Sequence, residues 1–314
     1  MTNLASMPTL SLARQADDPA GFARDLGASF RRHGFAIVAD HGIDAGLIAR
    51  AWELTKALFA LPEASKARYF DAAIAGQRGY TPFGREIAKD ADHVDLKEFW
   101  HVGRDLPPGH RFRDHMPDNI WPEELPEFQA VFSALYAAFD AAGNRLLSAI
   151  ALDLGLDPQW FAPAVQDGNS VMRLLHYPPV SPDAPGIRAG AHGDINLITL
   201  LLGAEEGGLQ LLTREGEWLS ITPPEGALVI NVGDMLERLT NHVLPSTIHR
   251  VLNPPPERRH IPRYSMPFFL HLASDFLIET LPGCVSADTP NRYPDPITAN
   301  DFLVQRLVEI GLKK

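Results

Sequence analysis

His192-Gly193-Asp194 sets an imidazole and a carboxylate two residues apart, and a second imidazole follows at His249 in the segment STIHRV. On a strand, residues i and i+2 share a face, roughly 6.5–7 Å apart. Side chains so spaced can converge on one ion, with the third ligand coming from another strand. Two imidazoles and one carboxylate gathered on one side of an ion leave its other side open. That arrangement suits iron(II), whose open positions then take a co-substrate and dioxygen. The plainer reading of each residue is a packed or hydrogen-bonded strand residue, and twelve histidines offer many chance triples.

Arg263-Tyr264-Ser265 changes the balance. Arg263 and Ser265 would share one face of a strand. A guanidinium fork binds a carboxylate in bidentate fashion, and a neighbouring hydroxyl adds a contact. Together they form a receptor for the far carboxylate of a dicarboxylic acid whose near end chelates the ion. An isolated Arg-x-Ser is more often an exposed strand position, but this one lies one strand beyond the distal histidine.

The elements that must hold these groups are legible. Residues 8–13 read as a first strand, residues 20–33 as a helix, and Phe35 to Ala39 as a buried strand. A second helix runs from about 44 to 61, and a long helical region covers 122–154. Between them, residues 74–98 are irregular, with Gly76, Gly79, Pro82 and Gly84 breaking any period. Such a stretch is expected to be a lid over substrate, with Arg78, Tyr80, Arg85, Asp92 and Lys97 as its polar groups. From residue 170 onward, short apolar runs alternate with turns every 8–15 residues, the pattern of a jelly roll. Thr298 offers an N-cap to a last helix.

Composition narrows the function classes. A net charge of −11 with no long basic run argues against nucleic acid as partner. The single Cys284 allows neither an internal disulfide nor a thiol-rich metal site. With no signal-like start and no long apolar run, no membrane association is expected and a cytoplasmic location is the default. The 314 residues read as a single catalytic domain. Residues 1–165 form a mainly helical part with the first strands, 166–280 the β-core with the metal site, and 281–314 the C-terminal helix.

At these residues the sequence resembles the isopenicillin N synthase-like group of 2-oxoglutarate and iron(II)-dependent oxygenases. PTLSLA with GFAIVADHGI, MRLLHYPP, GAHGDINLITLLLG, GALVINVGDMLERLTN, STIHRV and RYSMPFF occur in the family's order. The resemblance implies a mixed α and β fold, a double-stranded β-helix (a jelly-roll, cupin-like core) wrapped by helices. It implies His192, Asp194 and His249 on Fe(II). Arg263 and Ser265 would bind the C5 carboxylate of 2-oxoglutarate, with Tyr177 adding a hydroxyl. The implied reaction is oxidation of a small-molecule substrate, with dioxygen consumed and succinate and CO2 released.

Two departures shape the substrate expectations. Many relatives carry an amide where this chain has Leu175, so His176 or Arg173 is expected to replace it. The link from His249 to Arg263 is long and holds Pro254-Pro255-Pro256. Arg173, His176, Phe269 and Arg85 are the candidate substrate residues, with Arg78 and Tyr80 beside them, and several inward arginines would imply a small acidic substrate. Their plainer reading is surface or core. The alternatives are an iron oxidase that needs no 2-oxoglutarate and a non-catalytic jelly-roll binder.

Overall fold

The computed structural model describes residues 7–74, 76–85, 95–181, 184, 186–203 and 207–309. The N-terminal half contributes β1 (Thr9–Ser11), α1 (Pro19–His33), β2 (Phe35–Ala39), α2 (Ala45–Phe59) and α3 (Glu63–Ala67). It continues with β3 (Gly79–Thr81), β4 (Glu98–Gly103), α4 (Phe128–Asp153) and α5 (Ala162–Val165). The strand-rich half holds β5 (Val171–Tyr177), β6 (Ala189–His192), β7 (Ile198–Leu202), β8 (Leu209–Leu212) and β9 (Trp218–Ser220). After β10 (Leu228–Val232) come α6 (Asp234–Leu239), β11 (His249–Val251) and β12 (Arg263–Leu270). A small pair, β13 (Leu277–Ile278) and β14 (Ile297–Thr298), precedes α7 (Ala299–Glu309).

Two sheets carry the architecture. The larger runs β1-β2-β10-β7-β12-β5-β4-β3 and the smaller β6-β11-β8-β9. Their facing sides share one apolar cluster, with Phe35, Ile37, Phe99, Leu175 and Val229 from the large sheet and Ala189, Leu211 and Val251 from the small one. The other face of the large sheet packs on helices through Met172, Leu174, Met266 and Phe268 against Phe132, Leu135, Phe139 and Leu146 of α4. Alternation along each strand sends odd and even residues to these two environments. The mixed fold with a double-stranded β-helix core is the one expected.

Local chemistry explains the boundaries. The Asp18 side chain accepts from Gly21 N at the start of α1, and Gly34 ends that helix at φ 66°. Asp44 caps α2 in the same way, and Thr298 Oγ1 accepts from Asp301 N at 3.1 Å at the start of α7. The strand expected over 8–13 is shorter, because the chain turns into a 3-10 helix at Leu12–Ala16. The helix expected from 122 begins only at Phe128.

The lid expected over 74–98 is not what its described parts form. Residues Gly79–Thr81 are a buried edge strand paired to β4, and Arg78, Asp95, Leu96 and Lys97 are buried. Pairing to β4 satisfies the backbone of this glycine-rich stretch and draws it into the core. Asp92 and its neighbours, residues 86–94, lie outside the described residues.

Candidate active site

His192 ends β6 and His249 begins β11, and the two residues are register partners across the small sheet. Their rings lie 4.5 Å apart, centre to centre. His192 Nδ1 lies 2.7 Å from Gly190 O, and His249 Nδ1 lies 3.2 Å from Thr247 O. A backbone carbonyl can only accept, so each Nδ1 donates and each Nε2 keeps its lone pair for a ligand. Both point at one oxygen: Asp194 Oδ1 lies 4.0 Å from His192 Nε2 and 3.8 Å from His249 Nε2. The ligand atoms of the three residues all lie within 4.8 Å of one another.

Asp194 does not continue the strand, as its spacing from His192 suggested. It lies in the turn after β6, where its other oxygen is held by two donors. Thr199 Oγ1 donates to Oδ2 at 2.6 Å and Asn231 Nδ2 at 2.7 Å. Thr199 and Asn231 are register partners on β7 and β10. Asn196 Nδ2 ties the intervening turn to Ile198 O at 2.7 Å. Thr199, Asn231 and Asn196 escaped the sequence reading, although a lone polar residue inside ITLLL and LVINV is the signal that could have found the first two.

Burial sets the protonation states. It pushes the His192 imidazole down to about 4, with His249 adding to the effect. Burial also pushes Asp194 up, but His249, His192 and the bonds from Asn231 and Thr199 outweigh it and hold the carboxyl below its ordinary value. A neutral His192 imidazole beside a carboxylate is the donor set a divalent cation needs. His271, beyond β12, is likewise pushed down to about 4 by burial, against the pull of Asp194.

Arg263 and Ser265 open β12 on the inner face of the large sheet, both buried, with Arg263 Nη1 3.2 Å from Ser265 Oγ. Tyr177 is the register partner of Arg263, and the guanidinium carbon lies 5.1 Å from the Tyr177 ring centre. The structure thus brings the three residues together. Leu175 and Phe269 belong to this inner face, as does Arg173, whose guanidinium carbon sits 4.2 Å from the Phe99 ring centre and 5.4 Å from that of Phe269. Arg173 Nε donates to His101 Nε2 at 2.6 Å.

His176 is not in this group. One residue from Tyr177, it points to the helical side, where its ring stacks on Tyr264 at 4.7 Å and its Nδ1 meets Glu98 Oε1 at 2.7 Å. Tyr80 is there too, donating to Glu98, and Lys66 Nζ donates to Glu98 Oε2 at 2.6 Å. Burial pushes Glu98 up, but the hydrogen bonds from His176, Lys66 and Tyr80 outweigh it and keep the carboxyl below its ordinary value. This is a structural ion network, and strand alternation explains why a residue next to Tyr177 faces away from it. Arg85 is exposed, its guanidinium 4.9 Å from the Phe70 ring centre.

The comparisons with known proteins bear on this geometry. Residues 168–272 match the 2OG-Fe(II) oxygenase superfamily, and residues 7–124 match the N-terminal region described as non-haem dioxygenase in morphine synthesis. A 2-oxoglutarate-Fe(II) type oxidoreductase of Emericella nidulans is 32% identical over 295 residues, covering 90% of this chain and 83% of its own. The chain belongs to the 2OG-Fe(II) oxygenase superfamily.

A solved 2OG-Fe(II) oxygenase family protein from Caulobacter crescentus superposes with a TM-score of 0.91 at 61% identity, covering 97% of this chain and 99% of its own. A full-length Neurospora crassa protein, solved with alpha-KG and thymine, superposes at 0.86 with 28% identity, covering 98% of each chain. The enzyme is a 2-oxoglutarate-dependent dioxygenase that requires Fe(II) and dioxygen. Among the described residues no helix is long and apolar enough to cross a membrane.

Proposed function

We propose that this oxygenase hydroxylates a C–H bond of a small molecule, with His192, Asp194 and His249 holding the iron and Arg263, Ser265 and Tyr177 holding 2-oxoglutarate. The observation that carries this reading is the convergence of His192 Nε2 and His249 Nε2 on one oxygen of Asp194. The Neurospora crassa protein, which binds thymine, supports a small-molecule substrate. The iron, when bound, supplies the redox chemistry that couples decarboxylation of 2-oxoglutarate to attack on the substrate.

The chain's own part is binding and orientation. Gly190 and Thr247 carbonyls fix the imidazole tautomers, so both Nε2 atoms face the ion. Thr199 and Asn231 occupy Oδ2 of Asp194, leaving Oδ1 for it. Arg263 supplies a planar fork to the far carboxylate of 2-oxoglutarate, with Ser265 as a further donor and the Tyr177 ring beside it. The apolar inner face around Leu175, Phe99 and Val229 keeps water away from the reacting groups. A single catalytic unit is supported by the sheet order, since β1 to β4 of the N-terminal part are strands of the sheet that carries Arg263.

Iron content tests the triad. His192→Ala and His249→Ala should each purify folded, with iron well below the wild-type stoichiometry and no 2-oxoglutarate turnover. Wild-type iron content in both variants would overturn the assignment.

A further inference from the structure

Arg78 is buried to 1% exposure, yet Nε and Nη2 of its guanidinium have no hydrogen-bond partner among the described residues. Among the described residues its one hydrogen bond is from Nη1 to Gln77 O at 2.8 Å. A buried guanidinium with idle donors is destabilising and is kept only where something else is gained. Burial pushes its proton affinity down and outweighs Tyr136, Asp105 and Asp118, which act on it through space without a hydrogen bond.

The place of this group is specific. A Cβ built on Gly103 would fall 2.0 Å from the Arg78 guanidinium carbon, so the side chain occupies the space that the missing side chain leaves on β4. Alternation puts position 103 on the same face as Phe99, the inner face of the sheet. Register then links it to the triad. Gly103 pairs with Val171, Val171 with Phe269, Phe269 with Thr199, and Thr199 with Asn231. The two residues that hold Asp194 therefore stand in one transverse row with the seat of Arg78. Three strand spacings separate Thr199 from Gly103, about 14 Å at the strand axes. Side chains projecting from both ends shorten that to the length of a small organic molecule. Arg173, one residue pair from this row, adds a second guanidinium to the same wall.

We infer that Arg78 anchors an anionic group of the primary substrate, a carboxylate in a small organic acid, and that Arg173 reinforces it. The inference rests on the proposed function, since it places the acid with its other end toward the triad. Gly103 is then a specificity residue: any side chain there would displace the fork. The requirement on the substrate is one carboxylate at one end and an oxidisable C–H bond at the other. The two guanidinium groups stand out on a chain of net charge −11.

The test uses the full-length protein, anaerobic with Fe(II) and 2-oxoglutarate, and two acids each paired with its primary amide: hexanoate with hexanamide, and 3-phenylpropionate with 3-phenylpropionamide. Binding is read as the change each probe causes in the iron–2-oxoglutarate absorption band and in Tm. At least one acid should bind wild type, with neither amide matching it. Arg78→Met should weaken that acid at least tenfold and leave the 2-oxoglutarate midpoint unmoved, and Gly103→Ala should weaken the acid as well. The Tm of Arg78→Met without ligand should not fall, because an unpaired buried charge has been removed; a purely structural arginine would lower it.

Amides binding as well as the acids, no binding by either acid, undiminished acid binding by Arg78→Met, or a lowered Tm of that variant would each overturn the inference. Should wild type show no 2-oxoglutarate band, the proposed function fails instead. The acid arm is then decided by the Tm shift with the acids alone, on the same criteria.

Discussion

The Thr199 hydroxyl donates to Oδ2 of Asp194 at 2.6 Å, so the carboxylate that faces both triad histidines is oriented from the opposite sheet. Thr199→Val keeps the shape and removes the donor, leaving Asn231 as the other donor to Oδ2. Partners of metal ligands typically matter by about 10–100-fold in metal affinity. The Kd for Fe(II), measured by anaerobic competition with a chelator, should rise by about that factor, with the fold intact. An unchanged Kd would mean that Thr199 plays no part in positioning Asp194.

The His176 network should separate stability from co-substrate binding. Lys66 and Glu98 are both buried, at 5% and 4% exposure. Removing one partner of a buried pair strands the other charge, at about 3–5 kcal/mol. Lys66→Met should therefore lower the denaturation midpoint strongly, and His176→Phe less so. Neither should shift the 2-oxoglutarate midpoint, because both side chains lie on the helical side of the sheet. A weakened midpoint in His176→Phe would return that residue to the site.

Buried His271 gives the metal-free protein a pH dependence. In the unfolded chain its imidazole takes up a proton near the ordinary value of 6.5, but in the folded protein only near 4. The unfolded state therefore binds more protons between these values, and stability falls as pH drops from about 6.5 toward 4 while being fully retained above. His192 acts in the same direction. His271 contributes at most about 3 kcal/mol at the acid end. Chemical denaturation of the metal-free protein from pH 7.5 to 4 should show this loss, with a shallower slope in His271→Gln. Parallel slopes in the two proteins would contradict the assignment to His271.

The strand-rich half was legible because its chemistry is local. β5, β7, β8, β10 and β12 are short, largely apolar runs between turn residues, and Arg263-Tyr264-Ser265 puts its two polar groups on one face by alternation alone. Alternation also holds the error over His176: adjacency to Tyr177 in sequence is opposition in space. The turn at Asp194 was not legible, since its bend depends on Thr199, Asn231 and Asn196, which become neighbours only after β7 and β10 pair. Gly79–Thr81 misled for a related reason. Three residues set among Gly76, Pro82 and Gly84 become a strand because β4 offers them an edge, a partner that composition cannot reveal.

The co-substrate receptor carries the account, and titration of the anaerobic iron(II) protein with 2-oxoglutarate tests it most directly. The readout is the absorption band that appears when 2-oxoglutarate chelates the iron. Arg263→Ala removes the buried fork and leaves the far carboxylate unpaired, a loss of about 2–5 kcal/mol. At about 1.4 kcal/mol per tenfold, the midpoint should move at least about tenfold higher. Iron binding should stay as in wild type. Ser265→Ala should shift the midpoint less, and Arg263→Lys should recover it only in part, since an ammonium lacks the planar fork. A wild-type band whose midpoint is unmoved in Arg263→Ala would place the receptor elsewhere and contradict the account.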